Sequence, residues 1–226
     1  MWNEPNAGIA ISALEDESFA LQPKPAVVAS VEEGSIGDLV GFEPGDQLLS
    51  INGVRPRDLI DYRYLVAEED LHIEVVGLAG DLYELDVEKD LDEGLGLVFT
   101  EALFDALRQC NNHCSFCFID QQPEGRRNSL YLKDDDYRLS FLYGSYLTLT
   151  NLLDSDWSRI EDQRLSPLFV SVHATQPSLR AQLLQNPRGG LLLEQLEWFY
   201  ERDLQIHAQV VVCPGINDQE ALEKTL

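Results

Sequence analysis

Three cysteines stand within eight residues of the chain, in the spacing C-x3-C-x2-C: Cys110, Cys114 and Cys117. Cysteine thiolates are soft ligands that suit iron–sulfur clusters or zinc. Three thiolates on one tight loop can bind three irons of a [4Fe–4S] cluster and leave the fourth iron open to an outside molecule. A secreted disulfide framework spreads its cysteines through a small, loop-rich chain, so this clustering indicates a metal centre instead.

Two other metal sites compete with this interpretation. A structural zinc site is closed and usually has four ligands, and a ferredoxin-like electron carrier would also need a fourth cysteine. The sequence has no second closely spaced pair, and His113 is badly placed to bind the same ion as its neighbour Cys114. Cys213 lies far along the chain and stays open as a fourth ligand, although a buried core cysteine is the prediction for it.

The segments that follow the cysteines must position them and any ligand. Strand-like and helix-like patches alternate from residue 101 onward, with strands predicted over 146–150, 168–173 and 205–213 and helices over 157–163, 177–184, 191–202 and 218–226. This alternation favours βα units and a parallel sheet, open or closed into a barrel. Because ligands bind at the carboxyl ends of such strands, the polar residues there are candidate binding residues.

A different pattern precedes the cysteines. After an irregular segment over residues 1–24, residues 25–100 are predicted to form a compact, mostly β module. Its strands are predicted over 26–31, 47–51, 72–76, 82–87 and 94–99, with helices over 35–40 and 57–67. Gly41 is placed to end the first helix, and Asn52-Gly53 is a strong two-residue hairpin signal.

The string GSIGDLVGFEPGDQLLSING in this module resembles a PDZ domain. The resemblance implies that Gly94, Leu95, Gly96 and Leu97 form the loop whose backbone N–H groups bind the terminal carboxylate of a peptide, which then adds as a strand. This loop comes last here, as in a circularly permuted form. A PDZ-shaped spacer that binds no peptide is the alternative.

The cysteine spacing with Phe116 just before the third cysteine resembles the signature of the radical S-adenosylmethionine (SAM) superfamily. The strings CSFCFIDQQPEGRRNSLYLKDDDYRLSFLYGSYLTLTNL, LSPLFVSVHATQPSLRAQLLQNP and HAQVVVCPGIND closely resemble an uncharacterised bacterial radical SAM family. That family joins an N-terminal PDZ-like domain to the radical SAM region and to a C-terminal domain known as DUF512, and the chain resembles its cyanobacterial branch. The chain ends just after the strand predicted to carry Cys213, so we expect it to lack the C-terminal part.

The resemblance implies an α/β protein, with a PDZ-like domain over 25–100 followed by a partial (β/α) barrel over 101–226, incomplete at its C-terminus. It implies that the three cysteines hold a [4Fe–4S] cluster that reductively cleaves SAM to a 5′-deoxyadenosyl radical, which removes hydrogen from a substrate. An electron donor such as flavodoxin or ferredoxin is then expected. The residues expected to contact SAM are Phe116, Phe118, Thr150, Asn151, Ser171, His173 and Gln209.

The charge and the apolar pattern of the chain argue against nucleic-acid binding and against a membrane protein. The formal net charge is −24 with 44% hydrophobic residues. So acidic a surface repels phosphate backbones, and nucleic acid is not an expected partner. No apolar run is long enough to span a membrane and no secretory signal is evident, so a cytoplasmic protein is expected.

Two alternatives to the enzyme stay open at this point. One is an iron–sulfur or zinc protein without SAM chemistry, and the other is a PDZ-type peptide-binding module with the remainder as scaffold.

The charged stretch Lys133–Arg138 also allows two interpretations. It is predicted to be a solvated turn with Asp136 near a helix cap, or to line the mouth of a substrate site.

Overall fold

The first sheet is antiparallel and has five strands. The computed structural model describes residues 25–226, so the segment predicted over residues 1–24 lies outside the described residues. Alternate side chains of the third strand are buried, as a strand with one face on a core requires. The strands are β1 (Ala26–Val31), β2 (Gln47–Ile51), β3 (Asp70–Val76), β4 (Leu82–Glu88) and β5 (Leu97–Phe99), in the spatial order β4-β3-β2-β1-β5.

The two helices of this region begin at polar caps. In α1 (Ile36–Val40), the Ser35 hydroxyl accepts the Asp38 N–H at 3.3 Å, and Gly41 ends the helix at φ 93°. Helix α2 (Leu59–Leu65) is shorter than the predicted span of 57–67. It begins only after Asp58, whose carboxylate accepts two backbone N–H groups of the first turn at 3.0 Å.

The Asn52-Gly53 turn is confirmed. Both residues have positive φ, 52° and 75°, which is the geometry that favours these two residue types. Ile51 and Val54 exchange backbone hydrogen bonds of 3.0 and 2.9 Å across the turn. The returning arm is only this one bridging residue, and Pro56, two residues after Val54, has no N–H to continue a ladder.

The second region carries a parallel pair of strands, β6 (Leu168–Ser171) and β7 (Ile206–Gln209). Two helices, α5 (Pro177–Leu184) and α6 (Leu192–Glu201), connect these strands as the predicted βα alternation requires. The mixed α/β class is therefore confirmed. None of the helices in the described part of the chain is long and apolar enough to cross a membrane. The remaining elements are α3 (Tyr137–Tyr143), α4 (Asp154–Asp162), α7 (Gln219–Thr225) and 3-10 turns at Asn128–Leu130 and Pro187–Leu191.

The strand predicted over residues 146–150 is wrong. The structure has only a parallel bridge between Leu147 and Val170 at this place. Leu149 has φ 63°, which interrupts an extended backbone. The N–H of Thr148 bonds to the carboxylate of Asp135 at 2.6 Å instead of to a neighbouring strand.

The strand predicted over residues 205–213 ends at Gln209. Beyond Gln209, backbone N–H groups bond to side chains instead of to a neighbouring strand. Val211 donates to Nδ1 of His173 at 3.2 Å, and Cys213 donates to Oδ1 of Asn217 at 2.6 Å. Cys213 therefore lies outside the strand. Cys213 was predicted to be a buried core residue, and this prediction is wrong because the residue is half-buried.

Two hydrophobic cores meet at helix α2. One core lies against the antiparallel sheet and includes Ile51 and Ile73, and the other surrounds β6 and includes Val170. Ile60 of α2 packs in the second core, while Phe104 packs in the first. Each core therefore contains a side chain from the other side of residue 100. The domain boundary at this residue stays a prediction.

Candidate functional site

The cysteine loop runs between β5 and α3, and backbone hydrogen bonds fix its start, its middle and a turn at its end. Cys110 donates its N–H to the carbonyl of Lys133 at 2.8 Å, and Cys117 donates to the carbonyl of Cys114 at 3.0 Å. Between them, the N–H of His113 bonds to the carbonyl of Leu184, the last residue of α5, at 3.0 Å. The loop is therefore fixed onto the end of a helix of the parallel region.

The three thiols of this loop influence one another. Each is half-buried and none forms a disulfide. Burial, followed by the charges of Cys110 and Cys117, raises the pKa of the Cys114 thiol to about 11. A thiol whose pKa is raised in this way stays protonated unless a cation replaces its proton, which is how metal binding is coupled to thiol ionisation.

The donor chemistry of this loop fits a soft metal centre. Three free thiols lie on one short loop, as a three-cysteine iron–sulfur site needs. Within residues 25–226, no three side chains of His, Cys, Asp or Glu already lie in an arrangement that would hold a metal ion. The fit is one of ligand type and shared loop.

Phe116 and His173 are brought together. Their rings meet edge to face, with centroids 4.8 Å apart. His173 follows β6 at φ 61° and is only 4% exposed. Its Nδ1 accepts the N–H of Val211 at 3.2 Å, so the neutral ring carries its proton on Nε2. Burial, with a smaller contribution from the charge of Arg180, lowers the pKa of His173 to about 4. Phe118 is 70% exposed.

Thr150 lies in a buried polar cluster beneath the loop. Its hydroxyl lies 3.0 Å from Oδ1 of Asn111 and 3.1 Å from Oδ1 of Asn112, and it is 2.8 Å from the hydroxyl of Thr148. The hydroxyl of Thr148 bonds in turn to the buried carboxylate of Asp135 at 2.5 Å. Thr150 is thus engaged with the cysteine loop itself.

Asn151 joins two backbone segments. Its amide donates to the carbonyl of Gln109 at 3.1 Å and to that of Asp135 at 2.9 Å. Its Oδ1 is buried and has no hydrogen-bond partner among residues 25–226. Burying an acceptor without a partner costs free energy, so Asn151 is a buried polar group whose donor is not among the described residues.

Ser171 and Gln209 lie side by side at the carboxyl ends of the two parallel strands. They are paired in the register of β6 and β7. Ser171 is 7% exposed, and Gln209 is half-buried. The structure thus groups these two predicted residues near His173 at the edge where ligands of parallel sheets bind.

Arg180 is a residue of this region that the sequence did not indicate. Its side chain is fully buried, and its guanidinium donates to the carbonyls of Val172, Gly189, Thr148 and Ser171 at 2.7–2.9 Å. No carboxylate within bonding distance balances its charge among the described residues. Burial therefore lowers the pKa of Arg180 to about 10, opposed by the charges of Asp135 and Cys114. One arginine among leucines in α5 gives no sequence signal of this role.

The charged stretch Lys133–Arg138 is mostly buried, so the solvated turn predicted there is wrong. Asp135 and Asp136 are each 1% exposed. Burial raises the pKa of Asp135 to about 6. Asp136 caps α3, as predicted, and binds the guanidinium of Arg138 at 2.7 Å. Only Asp134 in this acidic run is exposed.

The loop predicted to bind peptides packs against helix α1. Leu95 is fully buried, and its carbonyl accepts the N–H of Gly37 at 2.8 Å. Gly96 has φ 74°, and its carbonyl accepts the N–H of Glu32 at 2.9 Å. The loop leads into β5, which forms one edge of the five-stranded sheet.

Comparisons with known proteins agree with two distinct regions. A family model for a radical SAM-like domain matches residues 89–226, and a model for a PDZ domain matches residues 27–76. No curated protein matches. Among solved structures, the PDZ domain of an SdrC-like protein from Listeria innocua is similar, with 18% identity, coverage of 36% of this chain and 99% of that chain, and a TM-score of 0.29. Residues 94–97 lie outside the PDZ match.

Proposed function

Because the chain belongs to the radical SAM-like domain family, we propose that it is a radical SAM enzyme whose Cys110, Cys114 and Cys117 hold a [4Fe–4S] cluster. When bound, such a cluster supplies one electron for reductive cleavage of SAM to methionine and a 5′-deoxyadenosyl radical, which abstracts hydrogen from a substrate. The observation that carries the proposal is the set of three free, mutually interacting thiols on one loop of the matched region.

The chain's own residues would hold the loop and balance its charge. Lys133 bonds to Asp120 at 2.6 Å, and its carbonyl receives the N–H of Cys110. Burial lowers the pKa of this ammonium, but the hydrogen bond to Asp120 and then the nearby charges of Cys117 and Cys110 outweigh burial and raise it. We assign Lys133 the role of stabilising negative charge on the sulfurs, because opposite charges at close range favour their ionised forms.

SAM would bind at the carboxyl ends of β6 and β7, next to the loop. His173 would offer its Nε2–H there, and Asn151 would offer its unpaired Oδ1. Ser171, Gln209 and Thr150 border the same region, and the backbone around Phe116 and Phe118 would meet adenine. These contacts are proposals, supported by the position of the residues and by the buried Oδ1 of Asn151, which has no protein partner among residues 25–226.

The PDZ-like region would bring a peptide or protein to the enzyme. Its edge strand β5 has one side without a partner strand among the described residues, which is the side that an added strand needs. Residues Gly94, Leu95, Gly96 and Leu97 would receive the carboxylate. A flavodoxin or ferredoxin would deliver the electron.

Electron paramagnetic resonance tests the proposed function. Protein reconstituted with iron and sulfide without oxygen is reduced, and its spectrum is recorded alone, with SAM, and with S-adenosylhomocysteine as a control that lacks the sulfonium. We expect a [4Fe–4S]⁺ signal that changes when SAM is added, together with 5′-deoxyadenosine in the reaction mixture. A signal that is indifferent to SAM would indicate an electron carrier, and zinc in place of iron would indicate a structural metal site.

A further inference from the structure

We propose that Asn112 is a positioning residue that donates a hydrogen bond to the sulfur of Cys110 and so raises the reduction potential of the cluster. The inference rests on the proposed function. The amide nitrogen of Asn112 lies 3.2 Å from that sulfur, and the side chain is 2% exposed. Asn112 therefore contacts the sulfur from the protein interior.

The orientation of the Asn112 amide is fixed from one side by a backbone donor. The N–H of Arg188, which can only donate, bonds to Oδ1 of Asn186 at 3.0 Å. The amide nitrogen of Asn186 must then face Oδ1 of Asn112, at 2.8 Å. Oδ1 of Asn112 is thus an acceptor on that side, and its nitrogen faces Cys110.

A second chain of contacts fixes the same orientation from the other side. The carboxylate of Asp135 accepts the backbone N–H of Thr148 at 2.6 Å and its hydroxyl at 2.5 Å. The single hydroxyl proton of Thr148 is used in this contact, so its oxygen accepts from the nitrogen of Asn112 at 2.8 Å. Both neighbours require nitrogen, not oxygen, on the side of the sulfur.

This donor acts on the charge of the cluster. Reduction adds one negative charge, part of which resides on the cysteine sulfurs, and a hydrogen bond to a sulfur stabilises the reduced form more than the oxidised form. The low dielectric around Asn112 strengthens the effect. Because the amide is neutral, it stabilises the added charge without placing a counter-charge in the interior.

Potentiometric titration followed by electron paramagnetic resonance tests the inference on the reconstituted full chain. We expect Asn112→Ala to lower the ratio of reduced to oxidised cluster about tenfold at a fixed potential, which corresponds to about 59 mV for one electron. Asn112→Asp should lower the ratio further, because it replaces the donor with a negative acceptor. Asn111→Ala is the matched control, since Asn111 lies on the same loop and shares Thr150 and Asn186 as partners but has no contact with the sulfur.

The outcomes separate this inference from the proposed function. An Asn112→Ala cluster with full iron content and an unchanged potential would overturn the inference alone. An equal fall in Asn111→Ala would also overturn it, because the effect would then belong to the loop. If Asn112→Ala holds no cluster, Asn112→Ser is the variant that tests the inference. The serine side chain is too short for its hydroxyl to reach the sulfur of Cys110, so we expect the same fall in reduction potential. Wild-type protein that assembles no cluster would overturn both.

Discussion

Arg159 and Asp58, which are 101 residues apart in sequence, form a buried ion pair with two hydrogen bonds of 2.7 and 2.8 Å. Asp58 caps helix α2 beside the antiparallel sheet, and Arg159 belongs to α4 in the parallel region. The same guanidinium reaches Asp61 at 2.8 Å, and Arg138 approaches Asp58 at 3.4 Å. The PDZ-like and radical SAM-like regions are thus joined by charges that are withdrawn from water.

Asp58→Ala should destabilise both regions together. The change removes a helix cap and leaves the guanidinium of Arg159 buried with only one carboxylate. Breaking a buried ion pair in this way costs about 3–5 kcal/mol. Denaturant unfolding should be followed by tryptophan fluorescence, because Trp157 and Trp198 lie in the parallel region, and by far-ultraviolet circular dichroism for the whole chain. We expect both signals to fall in one transition at a lower denaturant concentration.

The control for this change is Glu33→Ala, which removes an exposed carboxylate from the same region. It should alter the free energy of unfolding by no more than about 0.5 kcal/mol. Two separate transitions in the wild-type protein, or a loss below about 1 kcal/mol in Asp58→Ala, would mean that the two regions unfold independently.

Local sequence signals predicted the elements well where the backbone N–H and C=O groups bond to each other. The alternation in β3 and the Asn52-Gly53 turn needed no knowledge of distant residues. The predictions were wrong where a distant side chain captures a backbone N–H, as Asp135 does at Thr148 and His173 does at Val211. Such captures depend on tertiary contacts and leave no periodic signal.

The candidate site divides in the same way. The cysteine spacing alone indicated a metal centre, because ligand type and loop length are properties of the sequence itself. The buried donors around the loop were missed. Asn112 and Arg180 are polar residues whose burial follows only from the packing of α5 and β6 against the loop.

Replacing any one of the three loop cysteines should abolish cluster assembly. Cys114→Ala leaves only two thiolates, too few for a cluster that already lacks a fourth protein ligand. Cys213→Ala is the matched control, since Cys213 is half-buried and lies outside the loop, beyond β7. Iron and sulfide per chain after reconstitution are the measurements. Full iron in Cys114→Ala, or its loss in Cys213→Ala, would assign the ligands differently.

His173 should make the protein less stable as the pH falls from about 6.5 to about 4. Its pKa is lowered to about 4 in the folded protein, so the unfolded chain takes up a proton in this range while the folded chain does not. The stabilisation is complete above pH 6.5, and its loss amounts to at most about 3 kcal/mol. His173→Asn, which tolerates the positive φ, should flatten the dependence of unfolding free energy on pH. The same pH dependence in His173→Asn and in the wild type would mean that this imidazole is not held neutral by burial.

Asp135 should make the protein less stable as the pH rises from about 4 to about 6, which is opposite to the effect of His173. Burial raises its folded pKa from 3.8 to about 6, so its contribution to stability is complete below about pH 4 and is lost as the pH rises through 6. The two slopes partly cancel in the wild-type protein and must be separated by variants. Relative to Asp135→Asn, the wild type should lose up to about 3 kcal/mol between pH 4 and pH 6. Asp134→Asn should make this difference smaller, because the charge of Asp134 contributes to the raised pKa of Asp135.

Gly96 and Gly94 allow a test of the loop that packs on helix α1. A methyl group on Gly96 would collide with the side chain of Ser35, which caps α1, and the backbone at φ 74° disfavours any side chain. Left-handed backbone costs an alanine about 1–2 kcal/mol and overpacking about 1–3 kcal/mol more. Thermal and denaturant unfolding of Gly96→Ala should therefore show a loss of about 2–5 kcal/mol. Gly94→Ala meets no atom within 4 Å and should be nearly neutral. Equal stability of the two variants would mean that residues 94–97 do not pack on α1 in solution, and the loop would then be free to move toward a peptide.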